Sequence, residues 1–512
     1  MSSDGTYGEY EVVCGIEAHV QLKTKTKAFC PCPNEYGAAP NTLVCPVCLG
    51  HPGTLPVPNA EAVRLAALAG MAFDGSIRSV AHWDRKQYFY ADLPKGYQIT
   101  QFYEPIVEGG TLEVQMPEAN GGSVKHVGIE RAHLEEDAGK LTYDGDADAL
   151  VDFNRAGVPL LEIVSKPDIR TPAEASQYAQ ELRRLVRALG VSDGNLNEGS
   201  MRCDVNVSLR KQSTEAFGTK VEVKNLNSFS SIARAVHHEA ERQLALLEAG
   251  DGDAIQQETR LWDEANGVTR SARSKEGAAD YRYFPEPDLP PTRIDIDAVR
   301  ADLARRFEED HTSSHDRRLP FVELPSETRR RIQSPPLNLT ADTALTLCEN
   351  PFGLLTFLDS TVAHLNGNEG VIRAACNYVL GDIMGHFNSS KTGESGLTVE
   401  IFAAILTLSE SEELISGKTA KELLKAALAG GDVGNDEKEL RQYVEDNNLA
   451  QVSDPDQITA WCREVVDANP NQLEQYRGGK TKLKGFFVGG VLKKGNANPK
   501  MIDSILVPML DG

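Results

Sequence analysis

No apolar run in this chain approaches the roughly 18 residues that a membrane span requires, so no membrane partner is expected. The opening residues, Met1 to Tyr10, lack the basic and apolar regions of a signal peptide and the arginines of a transit peptide. No P-loop, dinucleotide fingerprint or kinase glycine loop occurs, so any use of ATP must rest on another scaffold. Basic residues are in deficit, 53 Lys and Arg against 75 Asp and Glu, and the net charge of −22 opposes nucleic-acid binding by the surface as a whole. It leaves room for a local basic patch. A disulfide framework is also missing: nine cysteines, an odd number, are spread over 512 residues. That usage fits a soluble protein of a reducing compartment. No internal repeat is visible. What remains is 40% apolar residues, enough for proper cores, in about three domains at roughly 100–200 residues each.

Four of the cysteines lie close together, as Cys30-Pro-Cys32 and Cys45-Pro-Val-Cys48. Two pairs joined by a short loop can offer four thiolates at the corners of a tetrahedron, the geometry of structural Zn²⁺. The first pair has one intervening residue, where two to four are usual. C-x-x-C also describes disulfide oxidoreductases, so redox chemistry at Cys45 and Cys48 is the competing reading. Against it, no thioredoxin-like strand-to-helix pattern surrounds the motif, Pro46 lies inside it and His51-Pro-Gly follows. His51 could substitute for one cysteine.

The fold class expected is α+β. Through about residue 300 the chain reads as strands. Residues 12–22 alternate, with Val12, Cys14, Ile16, Ala18, Val20 and Leu22 on one face and Glu17, His19 and Gln21 on the other. Met201–Arg210 alternates likewise, placing Arg202, Asp204 and Asn206 together, and Lys220–Lys224 sets Glu222 and Lys224 opposite Val221 and Val223. Between them one helix is signalled by Thr171 as cap, Pro172, Glu174 and a closing Gly190, with the stripe Tyr178, Leu182, Leu185, Val186 and Leu189. The proline-rich stretch 284–291 ends this region as a linker or rigid loop. Beyond it the pattern turns helical, with helices expected at Ala344–Leu358, Val371–Phe387, Thr398–Leu408 and Ala420–Leu428. A glycine-rich hinge at 430–436 precedes a helical tail.

A strand at a surface normally exposes Thr, Lys and Ser. Here the polar faces carry Glu17 with His19, and Arg202 with Asp204 and Asn206. The segment 128–140 adds Glu130, His133, Glu135, Glu136 and Asp137. Carboxylates so concentrated repel unless cations neutralise them, and Mg²⁺ suits because it takes oxygen ligands and keeps waters that bridge phosphates. Salt bridges on a β-surface are the bland alternative. In residues 83–98 Arg85, Lys86 and Lys95 interleave with Tyr88, Phe89, Tyr90 and Tyr97. That mix suits phosphate, sugar or base contact, or a polar conduit; an amphipathic hairpin explains it as well. Residues 151–159 and Arg270–Phe284 are similarly polar and aromatic. Between Arg477 and Lys500 lie Arg477, Lys480, Lys482, Lys484, Lys493, Lys494 and Lys500 without one Asp or Glu. Glycines 478, 479, 485, 489 and 490 are interspersed, as in a phosphate-binding surface; a solvated helix end is the alternative.

Eight segments together carry a resemblance: 15–19 (Gly-Ile-Glu-Ala-His), 84–90 (Asp-Arg-Lys-Gln-Tyr-Phe-Tyr), 92–99, 133–140 (His-Leu-Glu-Glu-Asp-Ala-Gly-Lys), 153–160, 201–206 (Met-Arg-Cys-Asp-Val-Asn), 222–228 and 280–289. In this order and spacing the chain resembles the B-subunit family of the aspartyl/glutamyl-tRNA amidotransferases, over nearly its full length to Gly-Gly-Lys-Thr-Lys-Leu-Lys-Gly-Phe-Phe at 478–487. It departs at Ala18, where Val or Thr is common, and the stretch around 309–335 aligns poorly. The resemblance implies a β-rich catalytic cradle of glutamine synthetase-like fold over 1–300. An all-helical domain would follow over 301–430, and a tRNA-binding tail over 437–512. It implies ATP-dependent phosphorylation of the side-chain carboxylate of Glu on tRNA(Gln), or Asp on tRNA(Asn), then displacement of the phosphate by ammonia. On matching positions Glu17, His19, Glu135 and Glu136 would hold Mg²⁺, and Lys86 and Lys95 would mark where ammonia enters. Asp204, Asn206 and Lys224 would contact substrate or ATP. Arg477, Lys480, Lys482, Lys484, Lys493 and Lys494 would meet tRNA. No Ser-Ser-Lys amidase signature is present, so ammonia would come from the glutaminase, or A, component of the complex, with the small C component binding the pair together. The compartment implied is a mitochondrion, a chloroplast stroma or a bacterial cytoplasm. The rival reading is a non-catalytic, zinc-stabilised component that only binds tRNA; a free-standing ligase of small molecules is a further one.

Overall fold

The alternation around Val12–Leu22 folds as β1 (Tyr10–Gln21). The computed structural model describes residues 6–144, 148–273, 280–308, 323–350, 352–365, 368–390 and 395–512. Residues 1–5 of the N-terminal segment, 274–279 of the Arg270–Phe284 stretch and 309–322 lie outside that set. With β1 assemble β2 (Val124–Glu136), β3 (Pro159–Ser165), β4 (Met201–Lys211), β5 (Val221–Leu226), β6 (Thr259–Asp263) and β7 (Val268–Arg273). Their order across the sheet is β7-β6-β5-β4-β1-β3-β2. The β5–β6 pair is parallel and the others are antiparallel.

Side chains alternate across a strand, so register sorts the sheet into two faces. On one, Ile16 pairs with Val205 and Ala18 with Cys203, while Ile163 pairs with Ala18 and Leu161 with Val20; all are buried. Two helices cover this face, α1 (Pro172–Ala188) and α2 (Phe229–Glu248), packed on each other. The Thr171 hydroxyl accepts the Glu174 N–H at 3.0 Å, and the Glu174 carboxylate accepts the Arg170 N–H at 2.7 Å. The expected stripe Tyr178, Leu182, Leu185, Val186 and Leu189 is buried throughout. Gly190, at φ +64°, ends the helix where a side chain would be strained.

The chain divides into two units, Met1–Arg331 with Thr340–Cys348, and Ile332–Leu339 with Glu349–Gly512. The first is sheet-rich and the second helical, so the chain is α+β, as expected. The helix expected over Ala344–Leu358 is two, Ala341–Glu349 and Leu354–His364, the second entered through Gly353 at φ +69°. The dipeptide Asn350-Pro351 opposes one continuous helix. Val371–Phe387 falls within a helical run, Glu369–Tyr378 and Met384–Ser390, joined by a π-turn at Val379–Ile383. Thr398 caps Val399–Leu406, and Gly417–Leu428 forms as expected. Helix Glu437–Asp446 packs against Val399–Leu406. A separate small core of Ile458, Cys462, Phe487, Val491, Ile502 and Leu506 organises the end of the chain.

Candidate active site and metal centres

The other face of the sheet is polar across four consecutive strands. His19 on β1 faces Arg202 on β4 and Glu162 on β3, and Glu162 in turn faces His133 on β2. One step along, Glu17 faces Asp204. His19 Nε2 lies 3.6 Å from both Glu135 Oε1 and Glu162 Oε2, and His133 Nε2 lies 3.3 Å from Glu162 Oε2. Donor atoms of His19, Glu135 and Glu162 all fall within 4.8 Å of one another.

Burial opposes charge on His19, but the Glu162 hydrogen bond and carboxylates outweigh it and push its pKa up to about 9. Burial, then the neighbouring Glu162 charge, raises both Glu17 and Glu135 above the ordinary carboxylate range. Glu162 is held well below it: burial would raise it, but His133 and His19 prevail. His19, Glu135 and Glu162 are a converging donor set, and a divalent cation bound there would displace the His19 proton and take over its neutralisation of the carboxylates. The residues fit Mg²⁺.

Other expected residues take distinct places. Asn206 Nδ2 donates to Glu17 Oε1 at 2.9 Å, and Lys224 Nζ donates to Asp204 Oδ2 at 2.6 Å. Lys86 stands 4.9 Å from the Tyr281 ring centre; burial would lower its pKa, but Glu135 and Glu162 raise it. Glu136 is not brought to this cluster. It neighbours Glu135 on β2 and therefore points through the opposite face. There its carboxylate pairs with Lys95 Nζ and accepts the Ile99 N–H at 2.9 Å. Lys95 accordingly sits with Glu136 and the Tyr97 ring, apart from Lys86.

Sequence reasoning missed Glu162 as a donor. Its signal was a single carboxylate inside the apolar run Pro-Leu-Leu-Glu-Ile-Val. Asp137, expected only as one of the clustered carboxylates, is buried and accepts from Gln21 at 2.9 Å and Arg202 at 3.0 Å, with Arg155 at 3.5 Å. Cavities flank the cluster at either end of the strands. One of about 240 Å³ is lined by Gly15, Glu17, Asn206, Phe217 and Lys220. The other, about 550 Å³, is lined by Gln21, Lys23, Lys140, Arg155, Asn197 and Arg202.

The four sulfurs of Cys30, Cys32, Cys45 and Cys48 converge within 4.8 Å, all as free thiols, and His51 is not among them. Sulfurs around a zinc ion at about 2.3 Å stand roughly 3.8 Å apart, and Cys45 and Cys48 are at 3.9 Å. The Cys48 thiol is pulled down to about 4 by its hydrogen bond with Cys30, against burial, and by the Cys45 N–H and Lys27. The residues fit Zn²⁺. Asn41 and Asn154 tie the loop to the 151–154 strand end: Leu43 N–H donates to Asn154 Oδ1 at 2.8 Å and Phe153 N–H to Asn41 Oδ1 at 2.8 Å.

In the tail, several basic residues have partners. Lys484 pairs with Asp503, Lys494 with Glu464 and Lys500 with Glu413, at 2.9, 2.9 and 2.6 Å. Lys480 donates to Gln475 Oε1, and Arg477 donates to the carbonyls of Leu510 and Met509. Lys482 and Lys493 are exposed, with no carboxylate partner among the described residues. Three of the five glycines cannot serve in the expected anion cradle: Gly485, Gly489 and Gly490 lie inside the helix Lys484–Leu492, where their N–H groups belong to the helix. Gly490 serves packing, since a Cβ there would stand 2.7 Å from Val465.

Residues 12–300 match the GatB/GatE catalytic domain, and residues 357–510 match the GatB domain. The chain is 49% identical over 512 residues to the chloroplastic/mitochondrial B subunit of glutamyl-tRNA(Gln) amidotransferase from Ostreococcus lucimarinus, covering 98% of this chain and 97% of that one. It is 46% identical over 517 residues to the B subunit of aspartyl/glutamyl-tRNA(Asn/Gln) amidotransferase from Crocosphaera subtropica, covering 98% of each. The catalytic-domain match alone spans more than half of the chain, and the chain belongs to the GatB/GatE family. Among the described residues no helix is long and apolar enough to cross a membrane.

Proposed function

We propose that this chain is the ATP-using component of a tRNA-dependent amidotransferase, acting on glutamate carried by tRNA(Gln), aspartate carried by tRNA(Asn), or both. The side-chain carboxylate attacks the γ-phosphorus of ATP, releasing ADP and forming an acyl phosphate. Ammonia then attacks the acyl carbon, and the amide forms as phosphate and a proton leave. A carboxylate is a poor electrophile, and the phosphate is the leaving group it lacks. The observation that carries this reading is the convergence of His19, Glu135 and Glu162 between two cavities on one sheet face.

Mg²⁺ held by His19, Glu135 and Glu162 would neutralise charge on the transferring phosphoryl group. The chain's own groups do the rest. Lys86 places a positive charge beside Glu135 and Glu162. Asp204 and Lys224 hold each other at the Glu17 end, where the smaller cavity, lined by both polar and apolar groups, would take part of the nucleotide. At the other end Arg155 and Arg202 line the larger cleft, suited to the aminoacyl end of tRNA. Lys95 belongs to the ammonia route, with Glu136 fixing its ammonium. The cradle resembles the glutamine synthetase-like fold, Zn²⁺ braces the cysteine loop, and the helical region and tail carry the body of tRNA. A glutaminase (the A component of the complex) supplies ammonia, the C component joins the two, and the compartment is an organelle or a bacterial cytoplasm.

The test is Glu162→Gln and His19→Ala in the complex with the glutaminase. Each should lower tRNA-dependent ADP formation on the order of 100-fold or more, since even outer-shell changes at metal sites cost 10–100-fold. Glutamine hydrolysis should persist. Amidation of charged tRNA at the wild-type rate by either variant refutes the assignment.

A further inference from the structure

Lys27 is the most deeply buried lysine of the sheet-rich unit, only 1% exposed. Among the described residues no carboxylate lies within ion-pair distance of its ammonium. Its two acceptors are Cys48 Sγ at 3.7 Å and the Phe153 carbonyl at 3.3 Å. An ammonium taken out of water is strongly disfavoured unless negative charge meets it. The negative charge it contacts is thiolate, since the nearby Glu136 carboxylate is paired with Lys95. Four thiolates around one Zn²⁺ leave a net charge of −2, which is also costly to bury. The two excesses cancel in part when they are neighbours.

The second acceptor leads elsewhere. Phe153 opens the turn 153–158, where Gly157 N–H donates to the Asp137 carbonyl and Gly157 O accepts the Ala28 N–H, at 2.9 and 2.8 Å. Arg155 in the same turn donates to the carbonyls of Ala138 and Gly139 and stands beside the Asp137 carboxylate. Gly157 is at φ +84°, and a Cβ there would touch both the Cys48 Cβ and the Lys27 side chain. The turn, the lysine and the cysteine loop are thus in mutual contact.

We infer that Lys27 is a positioning residue that compensates the charge of the four-cysteine metal site and ties that site to the turn bearing Arg155. It rests on the zinc reading above. The experiment measures zinc release to a chelator from the full-length protein. Lys27→Met keeps length and removes charge; it should release zinc roughly 10–100-fold faster, the usual cost of an outer-shell loss. Lys27→Gln keeps a donor without charge and should fall between. Equal release from Lys27→Met and wild type, both carrying zinc, overturns the role of Lys27 alone. Release from Lys27→Gln as slow as wild type assigns the effect to the hydrogen bond and overturns the charge argument. Wild-type protein without zinc and with four freely titratable thiols overturns the zinc reading itself. Amine labelling of wild type covers the case in which the variants do not fold. Lys27 should be protected with zinc and labelled once zinc is chelated, and identical labelling in both states refutes the tie.

Discussion

Asp137 is buried beside two guanidinium groups, Arg202 at 3.0 Å and Arg155 at 3.5 Å. Burial would raise its pKa, but Arg202 and Arg155 hold it below the usual 3.8. A depressed folded pKa means stability that is present above 3.8 and lost as the pH falls through the folded value. Asp137→Asn leaves Arg202 without its ion pair and should cost about 1–2 kcal/mol at neutral pH, because both arginines stay about a third exposed and water takes over part of the pairing. In urea unfolding the gap between variant and wild type should narrow as the pH drops toward about 3. A gap that stays constant from neutral pH to acid would show that the ionised carboxylate is not what matters. The same residue scale separates Glu135 from Glu136. Neighbours on a strand face opposite ways, so Glu135 joins His19 while Glu136 anchors Lys95.

Helix α1 illustrates how an element supports a site it does not touch. Its cap, Thr171, satisfies the Glu174 N–H, and its buried stripe backs the apolar side of the strands that present His19 and Arg202 on the polar side. Thr171→Ala should lower stability by about 1 kcal/mol, read as a lower urea midpoint at unchanged slope. The polar face needs no change in its own residues for this to occur, so amidation at saturating substrate should be unaffected below the melting range. A fall in turnover without a fall in stability would contradict the division of labour between the two faces.

At the scale of the molecule, the basic end of the chain has less free charge than its sequence suggests, because Lys484, Lys494 and Lys500 are paired with Asp503, Glu464 and Glu413. Helix Glu437–Asp446 belongs with the preceding helices, so a clean truncation removes residues 450–512 and leaves that helix in place. The truncated complex should keep glutamine turnover, keep ATP turnover at saturating charged tRNA, and bind tRNA more weakly. The salt slope should become shallower by roughly two, at about 0.9 per phosphate neutralised, for Lys482 and Lys493. Equal affinities and equal slopes would reduce the patch to a solvated surface.

Much of this was legible in the chain before folding. The period-two alternation of residues 12–22 and 201–210 sorts apolar from polar side chains within each strand, and the cap at Thr171 starts a helix, because these are local effects of backbone geometry. The cysteine spacing likewise limits the loop to a few residues' reach. Tertiary structure alone decided what stands beside what. Glu162 joins the cluster only because β3 pairs with both β1 and β2 in the register that opposes it to His19 and His133. Lys27 acquires its role only when a turn more than a hundred residues later closes over it. A charge's partners depend on strand pairing between distant segments, and distance through space leaves no periodic trace in the sequence.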